Sequence, residues 1–228
     1  MSLTIEVRGE RLALLPDRAI FWERSQTLLV ADAHFGKAAT FRAMSIPVPR
    51  GTTMEGLARL DALVRQTGAS RIVFLGDFLH AREGRSPETL AALQGWHEAN
   101  QGVRLVLVRG NHDRHAGDPP PGLGVECMDA PLVESPFVMT HHPGRSANGY
   151  VLAGHLHPGV PLYGKARQRE RLPCFWFSTE CAVLPAFGDF TGLAEISPVE
   201  ADRVFVIAGT EVVEPAGLVV DGPGSPAP

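Results

Sequence analysis

Residues 103–115 read VRLVLVRGNHDRH: an apolar run from Val103 to Val108 that stops at Gly110 and at once presents Asn111, His112 and Asp113. The Val and Leu content reads as a buried strand. In open α/β sheets ligands sit beyond the carboxyl ends of the strands, so polar side chains placed there are candidates for chemistry rather than packing.

Working outward, the same grammar recurs. Strands are expected at Leu3–Val7, Ala19–Trp22, Thr27–Ala31 and Arg71–Leu75. A helix is expected where Met54, Leu57, Leu60, Leu63 and Val64 repeat at helical spacing and Gly68 stands as a stop. Ser86 as N-cap and Pro87 in the first turn open a second helix to about Asn100. After Pro119-Pro120-Pro121 no long helix is evident, and strands are expected at Pro136–Thr140, Tyr150–Ala153, Cys174–Phe177, Leu193–Ile196 and Val204–Ile207. Alternating β/α units followed by a β-rich half predict two sheets packed face to face with helices outside, an α/β sandwich. One domain is expected over residues 1–221, followed by GPGSPAP (222–228) as a disordered tail.

The 228 residues, 44% of them hydrophobic, suffice for one filled core. A formal net charge of -4 gives no global attraction to a nucleic-acid duplex or an anionic membrane, so an anionic partner must be drawn in locally. Cys127, Cys174 and Cys181 form no C-x-x-C pair and are odd in number, which favours a reducing compartment such as the cytoplasm. No apolar run approaches the ~20 residues that span a bilayer, and charges interrupt the N-terminus, so a soluble protein without a signal peptide is expected.

Five strand ends carry polar clusters: ADAH (31–34), GDF (76–78), GNHD (110–113), MTHH (139–142) and AGHLH (153–157). Asp, Asn and His without Cys form a mixed oxygen and nitrogen donor set suited to manganese, iron or zinc. In Asp32-Ala33-His34 and His155-Leu156-His157 one residue separates the two donors, and extended backbone aims both the same way. Gly76, Gly110 and Gly154 immediately precede Asp77, Asn111 and His155, where a missing Cβ permits tight turns and close approach. Any one triplet is weak evidence, since an isolated His is more often a surface or core residue; five in order point to one converged site.

In this order and at these gaps the series resembles the calcineurin-like metallophosphoesterases. The resemblance implies a four-layer αββα sandwich of two mixed sheets flanked by helices. It implies two divalent ions, manganese first, with iron or zinc as alternatives. Asp32, His34, Asp77 and His157 would hold one ion, and Asp77, Asn111, His141 and His155 the other, with Asp77 bridging. His141 is favoured over His142 because it directly follows the strand. Two such ions would acidify a water for in-line attack on phosphorus. His112 is not a ligand in this pattern; it would protonate the departing oxygen or steady its charge, with Asp113 orienting the ring.

Within that superfamily, ADAHFGKAATFR (31–42), IPVPRG (46–51) and GDFLHAR (76–82) resemble the ligase-associated DNA damage response endonucleases. This implies a manganese-dependent phosphodiesterase cutting single-stranded or looped DNA in repair, with a DNA ligase, a helicase and an exonuclease-like protein as partners. Alternatives are a small-molecule phosphatase or nucleotide phosphodiesterase, and a non-catalytic binding module on the same fold.

The remaining signals stay open or fall away. The stretch from Lys37 to Thr53 reads as a long loop beside the first donor pair, with Lys37, Arg42 and Arg50 as candidate substrate contacts. His80 is either a rim contact or a solvated side chain, and nothing is assigned to His97 or His115. Lys165, Arg167, Arg169 and Arg171 recur at every second residue, as on a solvated strand edge or a phosphate-tracking face. GVPLYGKA (159–166) imitates a P-loop but has Ala166 where Ser or Thr must stand, and Pro161 inside, so it is rejected.

Overall fold

The computed structural model describes residues 1–48, 51–163 and 169–215. The first half of the chain forms a seven-stranded sheet from β1 (Leu3–Val7), β2 (Glu10–Leu15), β3 (Ala19–Trp22), β4 (Thr27–Val30), β5 (Arg71–Phe74), β6 (Arg104–Val108) and β7 (Val125–Met128), in sequence order. β1 to β4 pair antiparallel, and β4 to β7 parallel. The helices α1 (Lys37–Ala43), α2 (Thr52–Thr67), α3 (Pro87–Ala99) and α4 (Asn111–Ala116) lie in the connections of the parallel part.

All strands of the second sheet come later: β8 (Leu132–Glu134), β9 (Phe137–Met139), β10 (Tyr150–Ala153), β11 (Pro158–Tyr163), β12 (Arg169–Phe177), β13 (Cys181–Val183), β14 (Ala194–Glu195), β15 (Arg203–Ala208) and β16 (Glu211–Val213). Their order is β14-β11-β12-β13-β10-β9-β8, with β15 on β12 and β16 on β15. β9, β10 and β13 run parallel. The chain therefore crosses from one sheet to the other at residues 129–131.

Side-chain alternation builds two cores from the same strands. Leu29, Val73, Leu75, Val106 and Val108 face the second sheet and meet Phe137, Met139, Leu152, Phe175 and Phe205. Leu28, Val30, Ile72, Phe74, Leu105 and Leu107 face the other way, onto Leu57, Leu60, Leu63 and Leu93 of α2 and α3. Across the interface Trp22 meets Phe137 edge-on at 4.9 Å, and Arg71 forks onto both carboxylate oxygens of Glu134 at 2.7 and 2.6 Å.

The expected sandwich of two mixed sheets is present, with differences of detail that include the unexpected strands β2, β7, β8, β11, β13 and β16. Among the described residues no α-helix forms after Ala116, so helices flank the first sheet and the outer face of the second carries only small apolar clusters. The stretch after Lys37 is not all loop: its first seven residues form α1, favoured by the helix-forming residues of KAATFRA. β2 escaped the sequence reading because Leu12 and Leu14 face one core while Ala13 and Leu15 face the other, which erases the period-two signal. The capping expectations hold: Ser86 accepts from the Thr89 amide at 3.2 Å, and Gly68 ends α2 at φ 67°. No helix among the described residues is long and apolar enough to cross a membrane. The expected tail at 222–228 lies outside the described residues.

Candidate metal centre

Asp32 and His34 follow β4, Asp77 follows β5, and Asn111 opens α4 beyond β6; from the other sheet His141 follows β9, and His155 and His157 follow β10. These ends meet. Asp32 Oδ1 lies 3.6 Å from His157 Nε2 and 3.8 Å from His141 Nδ1. Asp77 reaches His34 Nε2 at 3.8 Å through Oδ2 and His141 Nε2 at 3.5 Å through Oδ1. His141 Nε2 is 2.9 Å from Asn111 Oδ1 and 3.1 Å from His155 Nδ1.

The backbone is bent to achieve this. Asp32, His34, Asp77, His155 and His157 all have φ between 47° and 72°, a left-handed region uncommon for residues with a Cβ and concentrated at functional sites. The preceding glycines act as clearance for a neighbouring strand's donor. A Cβ on Gly76 would lie 2.2 Å from His141 Nδ1, on Gly110 2.3 Å from Asp77 Oδ1, and on Gly154 2.6 Å from Asp32 Oδ2.

The protonation pattern fits cations. A carbonyl only accepts, so the 2.9 Å bond from His141 Nδ1 to the Leu75 oxygen and the 3.2 Å bond from His157 Nδ1 to the Gly192 oxygen place the ring protons on Nδ1. A neutral ring held this way carries its lone pair on Nε2. Burial holds the His141 imidazole below its usual pKa, against the pull of the Leu75 carbonyl, and so keeps it neutral. The His141 Nε2 lone pair thus faces the side-chain oxygens of Asn111 and Asp77. Asp32 is fully buried, and its Oδ1 has no hydrogen-bond partner, whereas Oδ2 accepts from the His155 amide at 2.8 Å. Such an orphaned carboxylate oxygen is costly in an apolar setting and is what a metal ion would satisfy. Backbone anchoring of the far ring nitrogen is also how ligating histidines are oriented.

His141 is 1% exposed and faces Asp32 and Asp77, whereas His142 is exposed, with its ring 4.2 Å from that of His155. Its nitrogens still join those of His141 and His155 within metal-binding reach.

His112 stands at the rim, Nε2 3.9 Å from Asp77 Oδ2. Its orientation differs from the expectation. The ring is fixed by Nδ1–H donating to the His80 carbonyl at 2.7 Å. The Asp113 carboxylate is instead buried and accepts the amides of Asp77 at 2.7 Å, Gly110 at 2.8 Å, Phe78 at 2.9 Å and Leu79 at 3.4 Å. Asp113 therefore ties the Asp77 turn to the α4 turn rather than orienting His112, because four amides converge where the ring was expected. Burial raises the pKa of both Asp77 and Asp113.

His80 belongs to the site. It stacks on His112 with centroids 4.8 Å apart, and its Nδ1 lies 3.3 Å from His34 Nδ1. Burial, then Lys37 and His112, push its pKa down to about 4, so it is neutral near pH 7. Burial is also the main cause of the strongly lowered pKa of His34. The one available sequence signal for His80 was its place three residues after Asp77. His97 sits on α3 apart from these groups, whereas His115 on α4 donates from Nδ1 to the Asn111 carbonyl at 2.8 Å without joining a donor cluster. Arg171 pairs with Glu195 at 3.3 Å, and residues 158–163 form a strand rather than a phosphate loop. Arg50, Lys165 and Arg167 lie outside the described residues, as does the side chain of Arg169.

Comparison with known proteins agrees with this geometry. The family model of the calcineurin-like phosphoesterases matches residues 26–158, more than half of the chain and all five strand-end clusters. The crystal structure of Pseudomonas putida nuclease MPE shares 42% identity and a TM-score of 0.82, covering 93% of this chain and 100% of that one. Yfce, a phosphoesterase from E. coli, covers 82% of this chain and 96% of its own at 15% identity, but with a TM-score of only 0.40. No curated protein gives a match. The chain belongs to the calcineurin-like phosphoesterases and is a metal-dependent phosphoesterase.

Proposed function

We propose that this protein is a two-metal phosphodiesterase that cuts DNA, in single strands or loops, with manganese as the working metal. The observation carrying the metal reading is the partnerless, fully buried Asp32 Oδ1, 3.6 Å from His157 Nε2. The nuclease reading is supported by 42% identity to a nuclease over 93% of the chain. Asp32, His34, Asp77 and His157 would hold one ion, and Asp77, Asn111, His141 and His155 the other, with Asp77 shared. When bound, such ions polarise the phosphate and acidify water.

The chain's own part is positioning and proton transfer. His112 has Nδ1–H fixed on the His80 carbonyl; as the imidazolium it would give the Nε2 proton to the departing oxygen and be left as the neutral Nδ1–H ring. Its backbone amide also donates to Asp77 Oδ1 at 2.9 Å, so one turn holds both the shared carboxylate and the acid. A setting in DNA repair, a cytoplasmic location, and a ligase, a helicase and an exonuclease-like protein as partners form part of the same reading, resting on the motif resemblance. The test is a panel of an aryl phosphodiester, the matching monoester and single-stranded DNA, assayed with manganese and after chelation, together with metal analysis of the purified protein. Chelator-sensitive cleavage of the diester and of DNA is expected. Hydrolysis of the monoester alone would favour a small-molecule phosphatase and overturn the nuclease reading, and turnover indifferent to chelators would overturn the metal reading.

A further inference from the structure

Beside His34 the surface is indented by a narrow cleft between α1, the start of α2 and the turn at residues 187–190, whose interior volume of about 20 Å³ has room for little more than a water molecule. Phe41, Phe187 and Phe190 line it, together with Lys37, Arg59 and Val48. His34 belongs both to its wall and to the candidate metal centre, so the cleft adjoins the place where a substrate phosphate would be bound.

Phe190 has no packing reason to be where it is. It is 53% exposed, and its backbone lies at φ 59°, a left-handed conformation that is an outlier for a bulky residue. The turn that carries it is nevertheless tightly held. The Phe187 amide donates to the Ala31 carbonyl at 2.8 Å, and the Gly188 amide to the Asp32 carbonyl at 3.0 Å. Arg18 and Arg59 both reach Asp189, at 3.3 and 3.4 Å, and Arg59 also donates to the Phe187 carbonyl and lies 4.3 Å over the Phe187 ring. An exposed aromatic ring on a strained turn fastened to the backbone of a candidate ligand is a preorganised contact. Lys37 stands on the opposite wall, its ammonium 5.9 Å from the centre of the Phe41 ring. Aromatic faces for stacking with a cation beside them are the chemistry that takes a nucleobase and its phosphate in single-stranded nucleic acid.

We propose that the mouth of this cleft is a stacking platform, on which an unpaired nucleobase next to the scissile phosphate lies against the exposed ring of Phe190, with Lys37 beside the adjoining phosphate. The inference rests on the nucleic-acid reading above and adds a cause for single-strand preference: a base paired and stacked inside a duplex cannot present its face to the ring.

The test compares the wild type, Phe190→Ala and Phe190→Trp on single-stranded DNA and on methyl 4-nitrophenyl phosphate, a diester with no base to stack. Phe190→Ala should lower kcat/KM on DNA by about 10-fold, the scale of one lost stacking contact, and leave the small diester unchanged; Phe190→Trp should keep DNA cleavage. A strand with one abasic residue should show the same loss with the wild type and little further loss with Phe190→Ala. Equal losses on both substrates, or none on DNA, would overturn the cleft while leaving the nuclease reading intact. A wild type that hydrolyses the small diester but not DNA would overturn both.

Discussion

Replacing Gly110 with Ala separates geometry from chemistry, because it adds one methyl group and removes no functional atom. Gly110 has φ -95° and ψ -174°, which alanine adopts without strain, so the whole effect comes from what the new Cβ meets. It would lie 2.3 Å from Asp77 Oδ1 and 2.7 Å from the Asp77 amide nitrogen, about 1 Å inside ordinary contact. The Asp77 carboxylate is held by the His112 amide at 2.9 Å, so relief requires it to retreat from the shared position between the two donor groups. Overpacking of this kind costs about 1–3 kcal/mol, and a misplacement of about 1 Å at a reacting centre costs on the order of 10²-fold in rate. The assay is manganese-dependent hydrolysis of an aryl phosphodiester, with manganese affinity by calorimetry and urea unfolding in parallel. Gly95→Ala serves as control: it lies exposed on α3 with nothing within 4 Å of the added Cβ, and should stabilise by about 0.5–1 kcal/mol without touching activity. Wild-type turnover and manganese affinity in Gly110→Ala would refute the placement of Asp77 at the centre.

Three further outcomes follow from the same geometry. His112→Ala should keep its metal by elemental analysis and lose roughly 10²-fold or more in kcat; unchanged turnover would remove the ring from proton transfer. Asp113→Asn sets an NH2 group against amides that now point at a carboxylate, and should destabilise by about 1–3 kcal/mol in urea unfolding; a wild-type midpoint would show that the tie between the two turns is not structural. The Arg71 guanidinium holds the pKa of Glu134 below the ordinary glutamate value of 4.5, so the pair stabilises the fold above that value and ceases to as pH falls through the lower, folded-state pKa. The stability gap between the wild type and Glu134→Gln should therefore be widest near neutrality and shrink below about pH 4.5; a gap independent of pH would exclude the ion pair as its source.

What could be read in the sequence follows from which signals are local. The candidate donors stood out because each ends an apolar run, and the D-x-H and H-x-H pairs need only the alternation of extended backbone. Ser86 with Pro87, and Gly68, marked helix ends because their chemistry is confined to one turn. The role of Asp113 was misread because its partners, the amides of residues 77–79, are distant in sequence. His80 stayed ambiguous for the same reason: its contacts are to His34 and His112, and only folding sets them side by side. Phe190 carries no sequence signal at all, since an aromatic residue in a loop reads as incidental until its exposure and backbone angle are known.

The single passage of the chain from the first sheet to the second, at residues 129–131, sorts the proposed donors into two consecutive sets. Asp32, His34, Asp77 and Asn111 travel with one sheet, and His141, His155 and His157 with the other. A fragment ending at Met128 and another beginning at Leu132 would each bring half a cage. Phosphodiester turnover would then report that the two polypeptides had found each other, making this linker a natural place to cut the enzyme into a complementation sensor.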